Sequence, residues 1–514
     1  MAAPNEKLAA ALESLKALQD GGRTAIRSSD LSRTVRERLV KNGFLQPVIK
    51  GWYVPTMPEG APGETTAWYT AFWRFSRDYL EERFGADWSL TAEQSLILHA
   101  GVFTVPRQLL VRAPGANNQS TALLHGTSIF ESGLALPPAD DRIQLQGLRL
   151  YTVAAALVSV PAGFFETHPT EARTVLSIQP DASAVLVHLL RGGHSTVAGR
   201  LAGAFRNIGR DREADAILAG MAAADHAVRE VDPFTDQRPR IPYRRDTSPY
   251  AQRLRLLWAR MREDVIGRLP TERRHANAID DYLREVDALY VTDAYHSLSI
   301  EGYRVSPALI DRVRSGQWNP QANAEDRDLE AGLAASGYWQ AFQVVRNSVR
   351  DVLAGQNPGD VVDRDHPIWY REMFTPKIAA GLLKPENLAG YRNGPVYLRG
   401  SRHVPLNADA VRDAMPTFFD LLREEADPAA RIVLGHFIYV YIHPYFDGNG
   451  RTGRFLMNVM MAAAGYPWTV IPVEERDRYM AALEAASVDQ DIRPFADFIA
   501  ARIRHAREIR APDR

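Results

Sequence analysis

One short segment, residues 443–454, carries the residue types that phosphate chemistry requires. Gly448 and Gly450 can adopt positive φ angles and let backbone N–H groups approach an anion closely. Arg451 and Arg454 stand where a helix should begin, and arginines in a first helical turn are unfavourable unless an anion binds there. The segment therefore predicts a phosphate-binding loop.

Two further residues of this segment could act on a bound phosphate. His443 titrates near neutral pH and can serve as a general base. Asp447 offers the hard oxygen ligands that suit Mg²⁺ when it is shared with phosphate oxygens. A base, a metal-binding carboxylate and a phosphate loop together predict phosphoryl or nucleotidyl transfer to a hydroxyl group.

Two buried helices should hold the segment in place. Residues 428–442 are apolar on nearly all sides, which is typical of a buried helix, and Pro444 should end that helix just after His443. A second apolar run begins at Phe455. His436, on the same helix face as His443, is predicted to be a core histidine.

The segment is similar to the signature of the Fic family of nucleotidyl transferases, His-Pro-Phe-x-Asp/Glu-Gly-Asn-Gly-Arg-x-x-Arg, with Tyr445 in place of the usual Phe. The resemblance implies a protein adenylyltransferase that uses ATP and Mg²⁺. In this reading His443 deprotonates a Ser, Thr or Tyr hydroxyl of a target protein, which then attacks the α-phosphate, and pyrophosphate leaves.

The same resemblance implies roles for the rest of the segment. Asp447 would hold Mg²⁺ on the α- and β-phosphates. The residues matched to nucleotide binding are Gly448, Asn449, Gly450, Arg451 and Arg454, with the two arginines on the distal phosphates. A phosphate-transferring offshoot of the family departs from this pattern at the second glycine, so the presence of Gly450 favours AMP transfer.

An inhibitory motif is predicted upstream of the segment. Residues 297–302, Ser-Leu-Ser-Ile-Glu-Gly, resemble the family's motif Ser/Thr-x-x-x-Glu-Gly/Asn, which Ser297, Glu301 and Gly302 match. By this resemblance, Glu301 pairs with Arg454 and holds ATP in a non-reactive pose. The alternative is an ordinary solvated glutamate ahead of a helix-ending glycine.

A target-docking flap is predicted at residues 391–405, where the family has a β-hairpin over the active site. Val396, Tyr397 and Leu398 could bind a target segment as an added strand, and the Arg-Gly-Ser turn after them supports a hairpin. The alternative is a hairpin with a structural role only.

The pattern of residues 1–57 favours a winged helix-turn-helix. A leucine-periodic helix is followed by a short basic helix after Ser28, Ser29 and Asp30, and then by two strands in 44–54 that turn at Lys50-Gly51. The basic residues that could contact DNA phosphates are Arg33, Arg36, Lys41 and Lys50. A solvated face, or a degenerate winged helix used for protein contact, is the alternative.

The predicted fold class is multi-domain and mainly α. Residues 58–232 mix an aromatic-rich helix with strand-like runs at 108–112 and 149–153, and they are predicted to be an α+β region. Together with residues 1–57 they are loosely similar to antitoxin-type regulators of the abortive-infection AbiE kind. A Pro/Arg-rich linker is predicted at 233–250, followed at 251–514 by an all-α Fic domain with the β-hairpin flap.

The composition restricts the classes of function. Hydrophobic residues make up 46% and charged residues 24% of the 514, which excludes a largely disordered protein. The 61 basic and 62 acidic residues exclude binding to nucleic acid through bulk positive charge, and the absence of Cys excludes disulfides. With neither a long apolar run nor a secretory signal pattern, we expect a cytoplasmic protein without membrane contact.

Two other functions remain open on the sequence. An enzyme that removes AMP from a modified protein would use Glu301 to position a water. A DNA-binding transcriptional regulator could use a Fic half to sense nucleotide, although an intact His443 argues against this because a sensor needs no base. The sequence does not exclude a homo-oligomer.

Overall fold

The computed structural model describes residues 4–21, 23–56, 65–235, 248–271, 279–321 and 326–510. The chain divides into two compact units. The first comprises Met1–Arg253 and Tyr397–Val404, and the second comprises Leu254–Val396 and Pro405–Arg514. Most of the predicted linker, namely residues 236–247, lies outside the described residues.

The first unit begins with two helices and a three-stranded antiparallel sheet of order β1-β3-β2. The elements are α1 (Pro4–Asp20), β1 (Ile26–Arg27), α2 (Arg33–Lys41), β2 (Leu45–Ile49) and β3 (Trp52–Pro55). The predicted hairpin is confirmed, with Gly51 at a φ of 86° in its turn. Helix α2 begins later than predicted, because its cap is Ser32, whose hydroxyl accepts a hydrogen bond from the N–H of Val35 at 3.4 Å.

The rest of the first unit is α+β, as predicted. Its helices are α3 (Thr66–Phe84), α4 (Ala92–His99), α5 (Val153–Ser159), α6 (Phe164–Thr167), α7 (Pro169–Ser177), α8 (Ser183–Gly192), α9 (Ser195–Asn207) and α10 (Asp211–Ala223). Its strands are β4 (Ser89–Leu90), β5 (Gln108–Arg112), β6 (Gln119–Ala122), β7 (Ser128–Ser132), β8 (Arg142–Leu145) and β9 (Leu148–Tyr151). The strand order is β4-β5-β7-β6, with β5 and β7 parallel, and β8 pairs with β9.

Both predicted strands of this region are present, but the second one is shorter than expected. It ends at Tyr151 because the hydroxyl of Thr152 caps helix α5, accepting a hydrogen bond from the N–H of Ala155 at 3.4 Å. The aromatic-rich helix is α3, and it buries Trp68 and Phe72 in the core of the unit.

The second unit is helical, which confirms the mainly α fold class. Its helices are α11 (Pro249–Val265), which starts in the first unit, α12 (Ile279–Ile300), α13 (Pro307–Arg314), α14 (Leu329–Leu353), α15 (Pro358–Ala379), α16 (Ala408–Glu424), α17 (Pro428–Ile442), α18 (Asn449–Ala463), α19 (Arg476–Val488) and α20 (Arg493–Arg510). Helices α17 and α18 are the two predicted apolar helices, and both are buried. Among the described residues, no helix combines the length and apolar character that crossing a membrane requires.

The prediction of a β-hairpin at residues 391–405 is wrong. Residues 391–405 are all described and contain no strand. One turn is present, in which the N–H of Ser401 donates to the carbonyl of Leu398 at 3.2 Å. The carbonyl of Arg402 accepts from the N–H of Val105 at 3.1 Å within the first unit, so a group that a hairpin would pair internally is used elsewhere. Proline at 395 and 405 also removes two N–H donors from the ladder.

Candidate active site

The predicted base lies at the C-terminal end of helix α17. His443 caps this helix in the left-handed conformation, with φ 55° and ψ 63°, and its N–H donates to the carbonyl of Tyr439 at 3.1 Å. A side chain other than glycine rarely adopts this conformation, and the surrounding structure must hold it there.

A buried arginine stabilises that conformation. Arg392 is 1% exposed, and its Nε donates to the carbonyl of His443 at 2.7 Å. Its backbone N–H donates to the carbonyl of Pro444 at 2.9 Å, and its Nη groups donate to the carbonyls of Gly394 and Leu406. Arg392 therefore fixes the backbone on both sides of the histidine, a role that no pattern in the sequence indicated.

The imidazole of His443 is set up to accept a proton. Its Nδ1 lies 3.3 Å from the carbonyl of Val440, which can only accept, so the Nδ1 must carry the hydrogen. No described residue forms a hydrogen bond to Nε2, whose lone pair is then free. Burial lowers the pKa of His443 to about 4, below the near-neutral value expected from the sequence, so the ring is neutral at pH 7.

Glycines and one asparagine shape the loop that follows. Gly448 caps helix α18 with a φ of 80°, which places the first N–H groups of that helix at the end of the loop. The side chain of Asn449 closes the loop by accepting from the N–H of Tyr445 at 2.9 Å and donating to its carbonyl at 2.8 Å. Asn449 is matched to nucleotide binding by resemblance, and the structure uses its side chain within the loop, so only its backbone remains for an anion.

The predicted metal ligand is exposed at the edge of the loop. The side chain of Asp447 is 54% exposed, and one oxygen accepts from the N–H of Gly448 at 2.5 Å and from Nη2 of Arg451 at 3.1 Å. Burial alone would raise the pKa of Asp447, but the opposing effect of Arg451, the Gly448 N–H and Lys377 is larger. The pKa is therefore lower than usual, and the carboxylate stays charged. Its second oxygen has no partner among the described residues.

This donor set fits Mg²⁺ that is shared with a nucleotide. The described residues contain no cluster of three or more histidine and carboxylate groups that could hold a metal alone. Magnesium usually takes one or two carboxylates together with water and phosphate oxygens, and a single free carboxylate oxygen beside an anion loop meets that need.

The arginines of α18 are buried behind the loop, and each has an acidic partner, Asp447 for Arg451 and Glu301 for Arg454. Arg451 is 1% and Arg454 is 4% exposed. Nη2 of Arg454 donates to Oε1 of Glu301 at 2.7 Å and to the carbonyl of Ser297 at 2.9 Å, while its Nε donates to the hydroxyl of Ser297 at 2.8 Å. The structure thus brings together the predicted motif at the end of α12 and the second arginine.

The carboxylate of Glu301 lies directly against the glycine loop. A methyl group built on Gly450 would overlap Oε1 of Glu301. Gly302, with a φ of 91°, ends helix α12 immediately after Glu301. A carboxylate therefore occupies a cradle of glycine backbone and arginine that suits a phosphate group.

His436 supports this region from the core, as predicted. It is fully buried, and its two ring nitrogens lie 2.8 Å from the carbonyl of Gly453 and 2.7 Å from the hydroxyl of Tyr479. Because Gly453 adjoins Arg454, the ring helps to fix the first turns of α18.

His436 should make the protein less stable in mild acid. Burial lowers the pKa of His436 to about 4, whereas a histidine in the unfolded chain has a pKa of roughly 6.5. The unfolded state therefore binds the proton first, and stability is lost as the pH falls from that value toward 4. We expect the parent to lose about 2 kcal/mol more than His436→Gln between about pH 7 and pH 5. Urea unfolding of both chains measures this, and equal losses would contradict it.

The predicted DNA contacts lie in the first unit and are partly occupied by the chain itself. Arg33 pairs with Glu37 at 2.7 Å, and Nη1 of Arg36 donates to the carbonyl of Ser28 at 2.6 Å. Lys41, at the end of α2, and Lys50, in the hairpin turn, are both exposed. DNA binding stays a prediction.

The second unit thus combines a neutral histidine, an exposed carboxylate and an anion loop backed by two arginines. Such a site can bind a phosphorylated substrate and remove a proton from a hydroxyl group. A sequence model of the Fic/DOC family matches residues 369–461, which include α17, the loop and nearly all of α18. The chain therefore contains a Fic domain.

Two curated relatives that the chain is similar to are named protein adenylyltransferases. The chain is 28% identical over 232 residues to protein adenylyltransferase fic-1 of Caenorhabditis elegans, covering 44% of this chain and 42% of the relative. It is 39% identical over 215 residues to protein adenylyltransferase Fic of Drosophila yakuba, covering 41% and 40%. The chain thus spans about two fifths of the length of these curated relatives.

A solved structure of C. elegans Fic-1 also matches the chain. The two are 21% identical with a TM-score of 0.37, and the match covers 63% of this chain and 92% of that one.

Proposed function

We propose that this chain is a protein adenylyltransferase that transfers AMP from ATP to a Ser, Thr or Tyr hydroxyl of a target protein. One observation carries the proposal: the neutral His443 directly precedes a glycine loop whose following helix buries Arg451 and Arg454. A proton acceptor and a phosphate site thus lie on one segment. The names of the relatives support AMP as the transferred group.

In the proposed reaction, Nε2 of His443 takes the proton of the target hydroxyl. The hydroxyl oxygen forms a bond to the α-phosphorus, the bond from that phosphorus to the bridging oxygen of the β-phosphate breaks, and pyrophosphate leaves. The loop N–H groups and the two arginines of α18 bind the phosphates. Mg²⁺ held by Asp447 would neutralise phosphate charge.

The proposal also assigns Glu301 the role of a brake. Its carboxylate pairs with Arg454 and lies against Gly450, where a distal phosphate would need the same partners. Two anions in one buried cradle repel each other strongly, so ATP binds productively only when Glu301 moves away.

Arg392 is expected to act as a positioning residue in this reaction. Its replacement by Met leaves the carbonyls of His443 and Gly394 without a donor and frees the backbone that aims the imidazole. For Arg392→Met we expect AMP transfer to fall about a hundredfold, and the free energy of unfolding to fall by about 3 kcal/mol. The Kd for ATP should stay within about twofold, since Arg392 contacts no phosphate-binding group.

Initial rates, ATP titration and urea unfolding measure these three quantities. Arg412→Met, at an exposed position of α16, is the matched control for loss of an arginine. Equal losses in ATP binding and in rate would contradict the positioning role.

Other parts of the proposal concern partners and organisation. Residues 396–398 (Val396, Tyr397, Leu398) could pair with an extended target segment. Residues 1–57 could contact DNA as a winged helix. For the domain organisation, we propose an antitoxin-like region at residues 58–232. We also propose one Fic domain with its inhibitory helix at residues 251–514. A cytoplasmic location and a homo-oligomer belong to the same set of proposals.

Mass spectrometry of modified peptides tests the proposed reaction. The Glu301→Gly chain would be incubated with ATP, Mg²⁺ and a cell lysate that supplies targets. We expect AMP on hydroxyl side chains. Phosphate on those side chains would show phosphoryl transfer instead. Loss of AMP from a modified peptide incubated with the parent chain, which retains Glu301, would favour the AMP-removing alternative.

A further inference from the structure

A third cation, Lys377, contacts the same tyrosine ring as Arg451. It is in the last turn of α15, and its side chain is only 13% exposed. Its acidic partner, Glu330, is 3.5 Å away and 70% exposed, so that ion pair is loose and open to water. The carboxylate of Asp447, whose pKa Lys377 lowers, is another nearby anion, and it too is more than half exposed. A nearly buried ammonium group whose acidic partners are open to water favours an additional anion close by.

Tyr303 covers both Lys377 and Arg451. The ammonium donates to the Tyr303 hydroxyl at 3.2 Å, and it lies 5.2 Å from the centre of the ring. The guanidinium of Arg451 lies 5.2 Å from the same ring, and its Nε is buried without a hydrogen-bond partner. One aromatic ring therefore covers both cations, whose acidic partners, Asp447 for Arg451 and Glu330 for Lys377, are themselves 54% and 70% exposed.

Tyr303 is joined to Glu301, the proposed inhibitory residue, by backbone hydrogen bonds to a shared carbonyl. Its N–H donates to the carbonyl of Leu298 at 3.1 Å, across the glycine that ends helix α12, and the N–H of Glu301 donates to the same carbonyl at 3.1 Å. Glu301 and Tyr303 thus belong to one compact helix end, which would move as a unit. Both residues line a cavity of about 430 Å³ that also reaches Asp447.

We propose that Lys377 is a third ligand for the distal phosphates of the nucleotide, and that Tyr303 covers it and Arg451 while Glu301 occupies the cradle. When the helix end moves, Arg454, Arg451 and Lys377 all become available to the β- and γ-phosphates. This inference rests on the proposed nucleotide-binding function, and the experiment below separates the two.

Calorimetric titration with ATP and with AMP tests the phosphate contact. The starting chain is Glu301→Gly/His443→Ala, in which the proposed brake and turnover are both removed. Adding Lys377→Met should raise the Kd for ATP about tenfold, because a charge-assisted hydrogen bond is lost, and leave the Kd for AMP unchanged. Adding Lys384→Met, at an exposed position, should change neither value.

The possible results are distinct. An unchanged Kd for ATP, or equal weakening of ATP and AMP, would show that Lys377 only links α12 to α15. Lys377→Arg is the control for misfolding of Lys377→Met. It retains the positive charge, so its Kd for ATP should stay within about threefold of the value for the starting chain. If the starting chain binds no ATP at all, the proposed function itself fails, and this inference with it.

The covering role of Tyr303 has its own test in the chain that keeps Glu301. Tyr303→Leu should lower the Kd for ATP about threefold, because it uncovers two cations, with no effect on AMP. Tyr303→Phe retains the ring and should have a smaller effect. No difference between Tyr303→Leu and the parent would overturn the covering role.

Discussion

Replacement of His443 by alanine is expected to lower the rate of AMP transfer by about a thousandfold, which is the range that a general base contributes. The Kd for ATP should stay within about twofold, because the imidazole forms no part of the anion loop. The loss of rate is expected because Nε2 of His443 is free to accept a proton on a ring that burial keeps neutral at pH 7.

Single-turnover rates and ATP titration separate the two effects. His505→Ala removes an imidazole that is 54% exposed, and it is the matched control. A variant at position 443 that transfers AMP within about tenfold of the parent rate would contradict the role of His443 as the base.

The second large effect is expected at Glu301. Glu301→Gly should raise AMP transfer at least about tenfold, because a charge-assisted pair with Arg454 no longer competes with the distal phosphate. The substitution lies just beyond the end of α12, so it should cost little helix stability.

Glu301→Gln retains the shape of the side chain and removes its charge, so an intermediate rate is expected. Initial rates at several ATP concentrations measure the effect. Equal rates for the parent and both variants would exclude an inhibitory role of Glu301, and a lower rate of AMP transfer in both variants would contradict it.

The parts of the site that were predictable are those fixed by local sequence. Pro444 ends helix α17, glycine at 448 accommodates the left-handed turn, and the apolar runs on either side form buried helices. Each depends on steric limits or periodicity over a few residues, and sequence expresses these directly.

The parts that were not predictable depend on contacts between distant residues. Arg392 lies 51 positions before His443, and its hydrogen bonds to carbonyl groups have no signature in residue type. Residues 391–405 have the residue types of a hairpin, yet the carbonyl of Arg402 accepts a hydrogen bond from the N–H of Val105, 297 positions away. The side chain of Arg402 donates to the carbonyl of Val105 in return. Lys377 and Tyr303 meet across 74 positions in the same way.

The most direct test of the proposed function is label transfer from α-³²P-ATP with Mg²⁺. Three chains would be compared: the parent, Glu301→Gly, and Glu301→Gly/His443→Ala. We expect strong labelling of protein by Glu301→Gly alone, which would establish AMP transfer, the base and the brake together. No label from Glu301→Gly while ATP is bound, or equal label from the double variant, would contradict AMP transfer by His443.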